Sequence, residues 1–334
     1  MKRKIAIIAG GDSSEYEVSL RSAAGIESFL SSQTQYATTI VLLRGQDWRA
    51  QVGENEWVAI DKNDFSYTHK GEKHCFDFAY ITIHGTPGEN GVLQGYLDMI
   101  GLPYSCCGVL AAAMTFNKYT CNHYLKGFGV RVAESLLLRK SDYPYPISDI
   151  LTQIGLPCFI KTNVGGSSFG VTKVKVVEEV QPAIEKAFAE GDEVICEAYM
   201  KGVEITCGAY KTRDKAVAFP ITEVVTSNEF FDYDAKYNGQ VDEITPARIP
   251  DDVRDKVQAL TLKIYDILGC KGIIRVDYIL TEAKGEGLDI NLLEVNTTPG
   301  MTATSFIPQQ VRAAGLNIGE VLSEIIEDAL TNIH

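Results

Sequence analysis

Two short runs carry most of the potential chemistry. Arg275-Val276-Asp277 reads as strand, and the alternation of a strand puts the Arg275 guanidinium and the Asp277 carboxylate on one face. Leu292-Leu293-Glu294-Val295-Asn296 repeats the pattern with Glu294 and Asn296. If the two strands pair, two carboxylates, one amide oxygen and one guanidinium converge. Hard oxygen donors of this kind suit Mg²⁺, which takes one or two carboxylates together with the phosphates of a substrate. A solvent-facing sheet surface laced with salt bridges is the alternative. The strongly apolar flanks of both runs weigh against it.

A second set of residues is suited to anions. Lys161 ends an apolar run, and Gly165-Gly166-Ser167-Ser168 follows it. Successive free backbone N–H groups in such a turn can cradle phosphate. The run is not a Walker A loop, which needs G-x-x-x-x-G-K-[ST], and alone it reads equally well as a hairpin turn. Lys118 on its own reads as a helix-surface lysine. His84 to Gly95 is dense in glycine and leads into a helix. Glycines allow close approach of backbone to a ligand, and the helix N-terminus favours an anion.

These residues need a scaffold. Residues 4–9 form an apolar strand ending at Gly10-Gly11, and Asp12, Ser13 or Ser14 can cap a helix over 15–30. Strands at 37–43 and 77–83 and a helix over Val92–Ile100 continue the alternation. That order predicts a parallel sheet with helices on its faces, with ligands at the carboxyl ends of its strands. Gly10-Gly11 and His84-Gly85 both stand at such ends.

The rest of the chain is patterned differently. A helix is expected over 111–127, strands at 157–162 and 170–175, a helix over 178–189 and a strand at 193–200. Strands at Val203–Lys211, 216–225, 272–280 and 289–295 follow, then helices near 308–314 and 318–330. Adjacent strands without intervening helices predict antiparallel pairing, so this part is α+β. Residues 226–246 show no periodicity, and a loop that long inside a compact domain is usually functional.

The chain has 334 residues, beyond the roughly 250–300 at which single cores stop growing, so two or three domains are expected. Lys and Arg number 31 against 44 Asp and Glu, a net charge of −13. That argues against nonspecific nucleic-acid binding, which rests on clustered positive charge. It leaves room for a local cationic site taking a small anion. No run approaches the ~20 apolar residues of a membrane span. The apolar stretch after the basic N-terminus, residues 5–9, is too short for a signal peptide. Eight cysteines without a C-x-x-C pair read as reduced, mostly buried thiols of a cytosolic protein. His69, His74 and Cys75 cluster in sequence, but a solvated turn around Gly71 is the better reading than a metal site.

Four motifs in order resemble the D-alanine–D-alanine ligases of the ATP-grasp superfamily. They are Gly10-Gly11 through Glu15-Tyr16-Glu17-Val18-Ser19, His84 to Gly95 (H-G-x-x-G-E-[DN]-G), Asp232 to Tyr237, and Leu268 to Gly300 (R-x-D, then E-x-N-x-x-P-G). Tyr278 departs from the usual aliphatic residue. The resemblance spans nearly the whole chain. It implies an ATP-grasp fold: an N-terminal parallel α/β domain over 1–107 that binds the first D-alanine, a small central α+β domain over 108–199, and a C-terminal antiparallel-sheet domain over 200–334 with the metal site and a mobile loop, 226–246. The implied activity joins two D-alanines with ATP through an acyl phosphate, supplying peptidoglycan precursor in the cytoplasm. A homodimer is also implied, and no nucleic-acid or membrane partner.

By the same resemblance, Asp277, Glu294 and Asn296 hold two Mg²⁺ ions, for which Mn²⁺ can substitute. Lys118, Lys161 and Lys236, with Ser167 and Ser168, contact the phosphates of ATP. Glu197, Tyr199 and Met200 line the adenine pocket, and Glu204 takes the ribose. Glu15 receives the first ammonium, with His84 near its carboxyl end. Arg275 and the N–H of Gly300 stabilise the tetrahedral oxyanion, and Ser305 and Phe306 meet the second carboxylate. Glu15, Ser167 and Tyr237 pin the loop, and Tyr237 favours D-alanine as nucleophile. Three places depart from the family pattern: Ala198 where a lysine is common, Val164-Gly165 where a charged pair is usual, and Phe306 for a smaller aliphatic. Alternatives are D-lactate or D-serine as second substrate, or a noncatalytic nucleotide-binding relative. A Rossmann dehydrogenase is excluded, since Gly10-Gly11 lacks G-x-G-x-x-G.

Overall fold

A computed structural model describes residues 2–145, 147–165, 170–226 and 241–331. The first sheet is built around β1 (Arg3–Gly10), every residue of which from Ile5 to Ala9 is fully buried. Its parallel neighbours are β2 (Tyr36–Arg44) and β7 (Phe78–Ile81). Helix α1 (Tyr16–Leu30) covers one face through Ala23, Ile26 and Leu30. Its N-cap is Glu15, and Ser13 contributes by accepting the Glu15 N–H at 3.2 Å.

The expected parallel sheet is present as β2-β1-β7, and it has an extension that the sequence did not announce. An antiparallel ribbon, β3 (Asp47–Gly53), β4 (Glu56–Asp61), β5 (Ser66–His69) and β6 (Glu72–His74), extends the sheet from β2 to seven strands. Its cohesion comes from aromatic packing of Trp48 on Tyr96 of α2 (Val92–Ile100) at 5.2 Å, with Phe65 and Phe76 alongside. Gly71, at φ +82, makes the β5–β6 turn, as expected around that residue.

The helix expected over 111–127 is two helices. α3 (Val109–Phe116) ends and α4 (Lys118–Lys126) begins at Asn117, whose ψ of 100 leaves the helical region. The Asn117 side chain accepts the Thr120 N–H at 2.9 Å, a standard N-cap. A four-stranded antiparallel sheet follows, β10-β9-β11-β8, from β8 (Ser135–Arg139), β9 (Cys158–Thr162), β10 (Thr172–Val174) and β11 (Glu193–Ala198). α5 (Ile147–Gln153), which has no expected counterpart, and α6 (Val180–Glu190) pack on it through Ile150, Ala183, Ile184 and Ala187.

The third sheet has six strands: β12 (Val203–Lys211), β13 (Ala216–Ala218), β14 (Thr222–Thr226), β15 (Val241–Ile244), β16 (Ile273–Glu282) and β17 (Leu288–Asn296). All of its pairings are antiparallel. The strand expected at 216–225 is broken into β13 and β14 around Pro220, which has no N–H to donate to a ladder. The loop expected over 226–246 includes β15, which pairs with β14. One face of this sheet is covered by α7 (Asp251–Leu268), and Tyr278, the departure noted above, buries its ring there with its hydroxyl 2.8 Å from Thr261 Oγ1. α8 (Phe306–Ala313) and α9 (Ile318–Thr331) return to β1 and α1, so that Ile5, Ile7, Ile26, Ile307 and Ile326 share one core.

Candidate active site

The antiparallel register of β16 and β17 sets Arg275 opposite Asn296 and Asp277 opposite Glu294. Directly opposed residues share a face, so the four side chains converge as the alternation predicts. Beyond Asp277 a bulge at Leu293 shifts the register, which increases local twist and ends the functional run. Arg275 donates to both carboxylate oxygens of Asp277, from Nε at 2.8 Å and Nη2 at 2.6 Å, and lies 3.6 Å from Glu294. Both members of the fork are buried. Burial by itself would lower the affinity of Arg275 for its proton, but Asp277 and then Glu294 raise it overall. The Phe306 ring faces the same guanidinium, 5.4 Å from its carbon.

The lysines sit on the adjoining elements. The break at Asn117 bridges to Val164 and lets the Lys118 N–H reach the Asn163 carbonyl at 3.1 Å, while its ammonium donates to the Gly165 carbonyl at 2.6 Å. Burial holds the Lys118 pKa below the usual range, against the pull of Glu294. Lys161 of β9 pairs with Glu197 of β11 at 2.5 Å, both largely buried. Burial opposes the charge on Lys161, and Glu197 more than offsets it, with Glu294 and Glu204 adding to the effect. Tyr199 continues from β11, packed against Phe159 at 5.9 Å, with the Lys173 ammonium over its ring at 4.0 Å. Met200 follows it, partly buried.

The opposite wall comes from the first sheet. Gly10, at φ +99, carries the chain away from β1 with its Cα so close to the Leu43 carbonyl that no side chain fits. His84 is buried, and its Nε2 lies 3.4 Å from Ser22 Oγ of α1. Ser22 Oγ in turn accepts the Met301 N–H at 3.3 Å. A single buried hydroxyl thus ties the first signature to the Gly300-Met301 turn. Gly25, one helical turn on, lets the Met301 carbonyl lie against α1. Glu89 accepts the Gly85 N–H at 2.6 Å; burial, then the nearby Glu15, push its pKa up to about 8, with a smaller contribution from Glu294. Ser305 caps the approach to α8, its hydroxyl 2.8 Å from Thr302 Oγ1 and within 3.0 Å of where a Gly300 side chain would begin.

The structure therefore gathers Arg275, Asp277, Glu294, Asn296 and Phe306 in one group and Lys161 with Glu197 in another, while Lys118 and Glu204 act electrostatically on them. Two expectations are refined. Lys161 and Glu197, assigned to different parts of a nucleotide, hold each other, and so do Arg275 and Asp277. Asn296 also accepts the Thr298 N–H at 2.9 Å. Ser167, Ser168, Lys236 and Tyr237 lie outside the described residues. Sequence reasoning missed Ser22, Asn122, Asn163 and Lys173. Asn122 donates to Glu197 at 3.1 Å, and Asn163 accepts the Tyr119 N–H at 2.9 Å. The lysine missing at Ala198 has a neighbour in Lys173, which reaches the end of the same strand from β10.

Two family models, described as the N-terminus and the C-terminus of D-Ala–D-Ala ligase, match residues 4–107 and 124–327. The chain belongs to the D-alanine–D-alanine ligase family. A D-alanine–D-alanine ligase of Phocaeicola vulgatus is 65% identical over 98% of this chain and 99% of its own length, and one of Porphyromonas gingivalis 55% identical over 99% of both. Among solved structures, D-alanyl-alanine synthetase A of Vibrio cholerae superposes with a TM-score of 0.87 at 28% identity, covering 99% of both chains. The VanG D-Ala:D-Ser ligase of Enterococcus faecalis gives 0.86 at 29% identity, over 98% of this chain and 99% of that one. Membership brings with it the ATP-grasp superfamily, and the three sheets described above are the multi-sheet architecture of these ligases.

A metal ion fits the donor set. Among the described residues no three His, Cys, Asp or Glu side chains alone could hold one. Asp277 and Glu294 with the Asn296 amide supply hard oxygens that need phosphate oxygens to complete a shell, as Mg²⁺ sites commonly do. Charge points the same way. Lys118, Lys161 and Arg275 are already matched by Asp277, Glu294 and Glu197. A polyphosphate adds several negative charges, which divalent cations would balance.

Proposed function

We propose that this enzyme ligates two D-alanines to D-alanyl-D-alanine, cleaving ATP to ADP and phosphate, for peptidoglycan precursor synthesis in the cytoplasm. The observation that carries the reading is the shared face of Arg275, Asp277, Glu294 and Asn296. Relatives at 65% identity named for D-alanine favour it over D-serine, for which the named ligase is 29% identical.

In this reading the carboxylate of the first D-alanine attacks the γ-phosphate, displaces ADP and becomes an acyl phosphate. The amine of the second then attacks the acyl carbon, and phosphate leaves from the tetrahedral intermediate. The side chains position groups and match charge, the main sources of catalysis for such transfers. Glu15 holds the first ammonium and His84 steadies the carboxyl end. Arg275 and the Gly300 N–H face the oxyanion, and Ser305 with Phe306 takes the second carboxylate. Lys118, Lys161, Ser167, Ser168 and Lys236 receive the phosphates; Glu197, Tyr199, Met200 and Glu204 hold the nucleoside. Asp277, Glu294 and Asn296 would hold two Mg²⁺ ions, which neutralise phosphate charge when bound. Tyr237, with Glu15 and Ser167, closes the site against water, which protects the acyl phosphate.

The three-domain division at 107 and 199 and the homodimer belong to the same proposal. Met99 and Val92, 86% and 62% exposed on α2, support an interface in the N-terminal region. No described helix is long and apolar enough to cross a membrane.

The test is phosphate release with ATP and Mg²⁺, supplying D-alanine alone, with D-lactate or with D-serine, and L-alanine as control, with products read by mass spectrometry. Dipeptide from D-alanine alone is the expected result. Turnover only with a mixed pair would move the function to a variant ligase, and binding of ATP without turnover would overturn it.

A further inference from the structure

Gln310 is a fully buried polar side chain to which no role has so far been given. It lies one turn into α8, on the face toward β12. Along that edge β12 changes partner: it pairs with β14 up to Thr206 opposite Thr222, and with β13 from Ala209 opposite Ala218. Between them Cys207 and Gly208 have no register partner on this edge; the Gly208 carbonyl accepts the Phe219 N–H at 2.8 Å, but Pro220, next along, has no N–H to donate, and the Gly208 N–H and Thr206 carbonyl are left without a backbone partner from β13 or β14. The Gln310 carboxamide fills the gap. Its Oε1 accepts the Gly208 N–H at 2.8 Å, and its Nε2 donates to the Thr206 carbonyl and to Thr222 Oγ1, each at 3.0 Å. A primary amide offers the same donor and acceptor as a peptide group, and here it stands in for the one peptide group the ladder lacks.

The position of this joint matters. Gly208 lies directly opposite Arg275 on β16, and Thr206 opposite Asp277. The helix that carries Gln310 begins at Phe306, whose ring faces the Arg275 guanidinium, and is capped by Ser305. Gly208 has no room for a side chain, since one would begin 2.4 Å from Ile307 and 2.8 Å from Gln310. Helix and sheet therefore meet in one register, set by three hydrogen bonds inside a buried contact.

We propose that Gln310 is a positioning residue that fixes the Ser305-Phe306 end of α8 relative to Arg275 and so sets the affinity of the second amino-acid subsite. This rests on the assignment of Ser305 and Phe306 to the second carboxylate. Gln310 does not touch substrate. Its loss leaves the Gly208 N–H and Thr206 carbonyl buried and unpaired, which the structure relieves by shifting the helix.

The experiment is steady-state kinetics of Gln310→Leu with ATP, Mg²⁺ and D-alanine, resolving the two D-alanine sites, beside a thermal melt. The Michaelis constant at the second site should rise about tenfold, the equivalent of one buried hydrogen bond. Those for the first D-alanine and for ATP should stay within about twofold, below what a lost hydrogen bond would produce. Thr222→Val removes one of the three bonds, together with the 2.6 Å contact between the Thr222 and Thr245 hydroxyls, and keeps the shape, so it should give a smaller rise at the same site even if the leucine variant fails to fold. Constants that all rise together, or a fall in kcat alone, would assign Gln310 a general structural role and overturn the proposal. So would wild-type constants in both variants. If the wild-type protein itself makes no dipeptide, it is the assigned reaction that fails.

Discussion

Arg275 and Asp277 neutralise each other in a bidentate fork, whereas Glu294 keeps about a third of its side chain exposed, at 36%. Glu294 is thus the more exposed of the two facing carboxylates. Glu294→Gln keeps the size and removes the charge. It should abolish Mg²⁺-dependent phosphate release and leave the melting temperature within a few degrees, because the residue is not in the core. Activity near the wild-type level would remove Glu294 from the metal site. The quartet was legible in the sequence because alternation on a strand is a local rule: two residues apart means one face. Ser22, Asn122 and Gln310 were not legible. Their partners are His84, Glu197 and Gly208, 62, 75 and 102 residues away, and a lone serine or glutamine carries no local pattern that points so far. The departure at Tyr278 was visible, but its accommodation by Thr261 needed the packing of α7 on the sheet.

At the scale of elements, the continuous apolar strands β1, β12 and β16 and the strongly periodic helices were readable, since burial writes itself into composition. The ribbon β3 to β6 was not. Its strands are short and polar on the exposed side, and their pairing is decided by Trp48, Phe65 and Tyr96 meeting across elements. β15 was hidden for a similar reason: Val241–Ile244 is four residues long and is held as an edge by β14. Beside that edge Glu223 of β14 is bound by Arg248, through Nε at 2.9 Å and Nη2 at 2.8 Å. The Arg248 hydrogen bonds hold the Glu223 carboxyl below the usual carboxylate range. A lowered folded-state pKa stabilises above the unfolded value of about 4.3 and is lost as pH falls toward the folded one. Arg248 is 63% exposed, so solvent screening weakens the pair. Urea unfolding should show Arg248→Met slightly less stable than wild type at pH 7. The difference should shrink on acidification through the carboxylate range. A difference that stays constant with pH would attribute the effect to lost packing of the arginine stem.

The whole molecule is tied together by its last helix. α9 buries Val321, Leu322, Ile325 and Ile326 in a core shared with Ile5 and Ile7 of β1 and Tyr210 of β12. Its polar side repeats the link: Glu327 takes the Tyr36 hydroxyl at 2.9 Å, and Glu324 that of Tyr210 at 2.7 Å. The sheet β10-β9-β11-β8 keeps a separate core around Ile160, Ile184 and Val194. A division by sequence alone puts α9 with the third sheet, but its packing joins it equally to the first. Ile326→Ala should therefore cost about 2–5 kcal/mol, the range for emptying a core aliphatic site. The loss should not be shared evenly. Hydrogen exchange of backbone amides should accelerate together in β1 and β12, because both lean on the same cavity, while amides of β9 and β11 keep more of their protection. Equal acceleration in all three sheets would mean that the chain opens as one cooperative unit. Acceleration in β12 alone would mean that the contacts of α9 with β1 contribute little, and that the first sheet stands without its last helix.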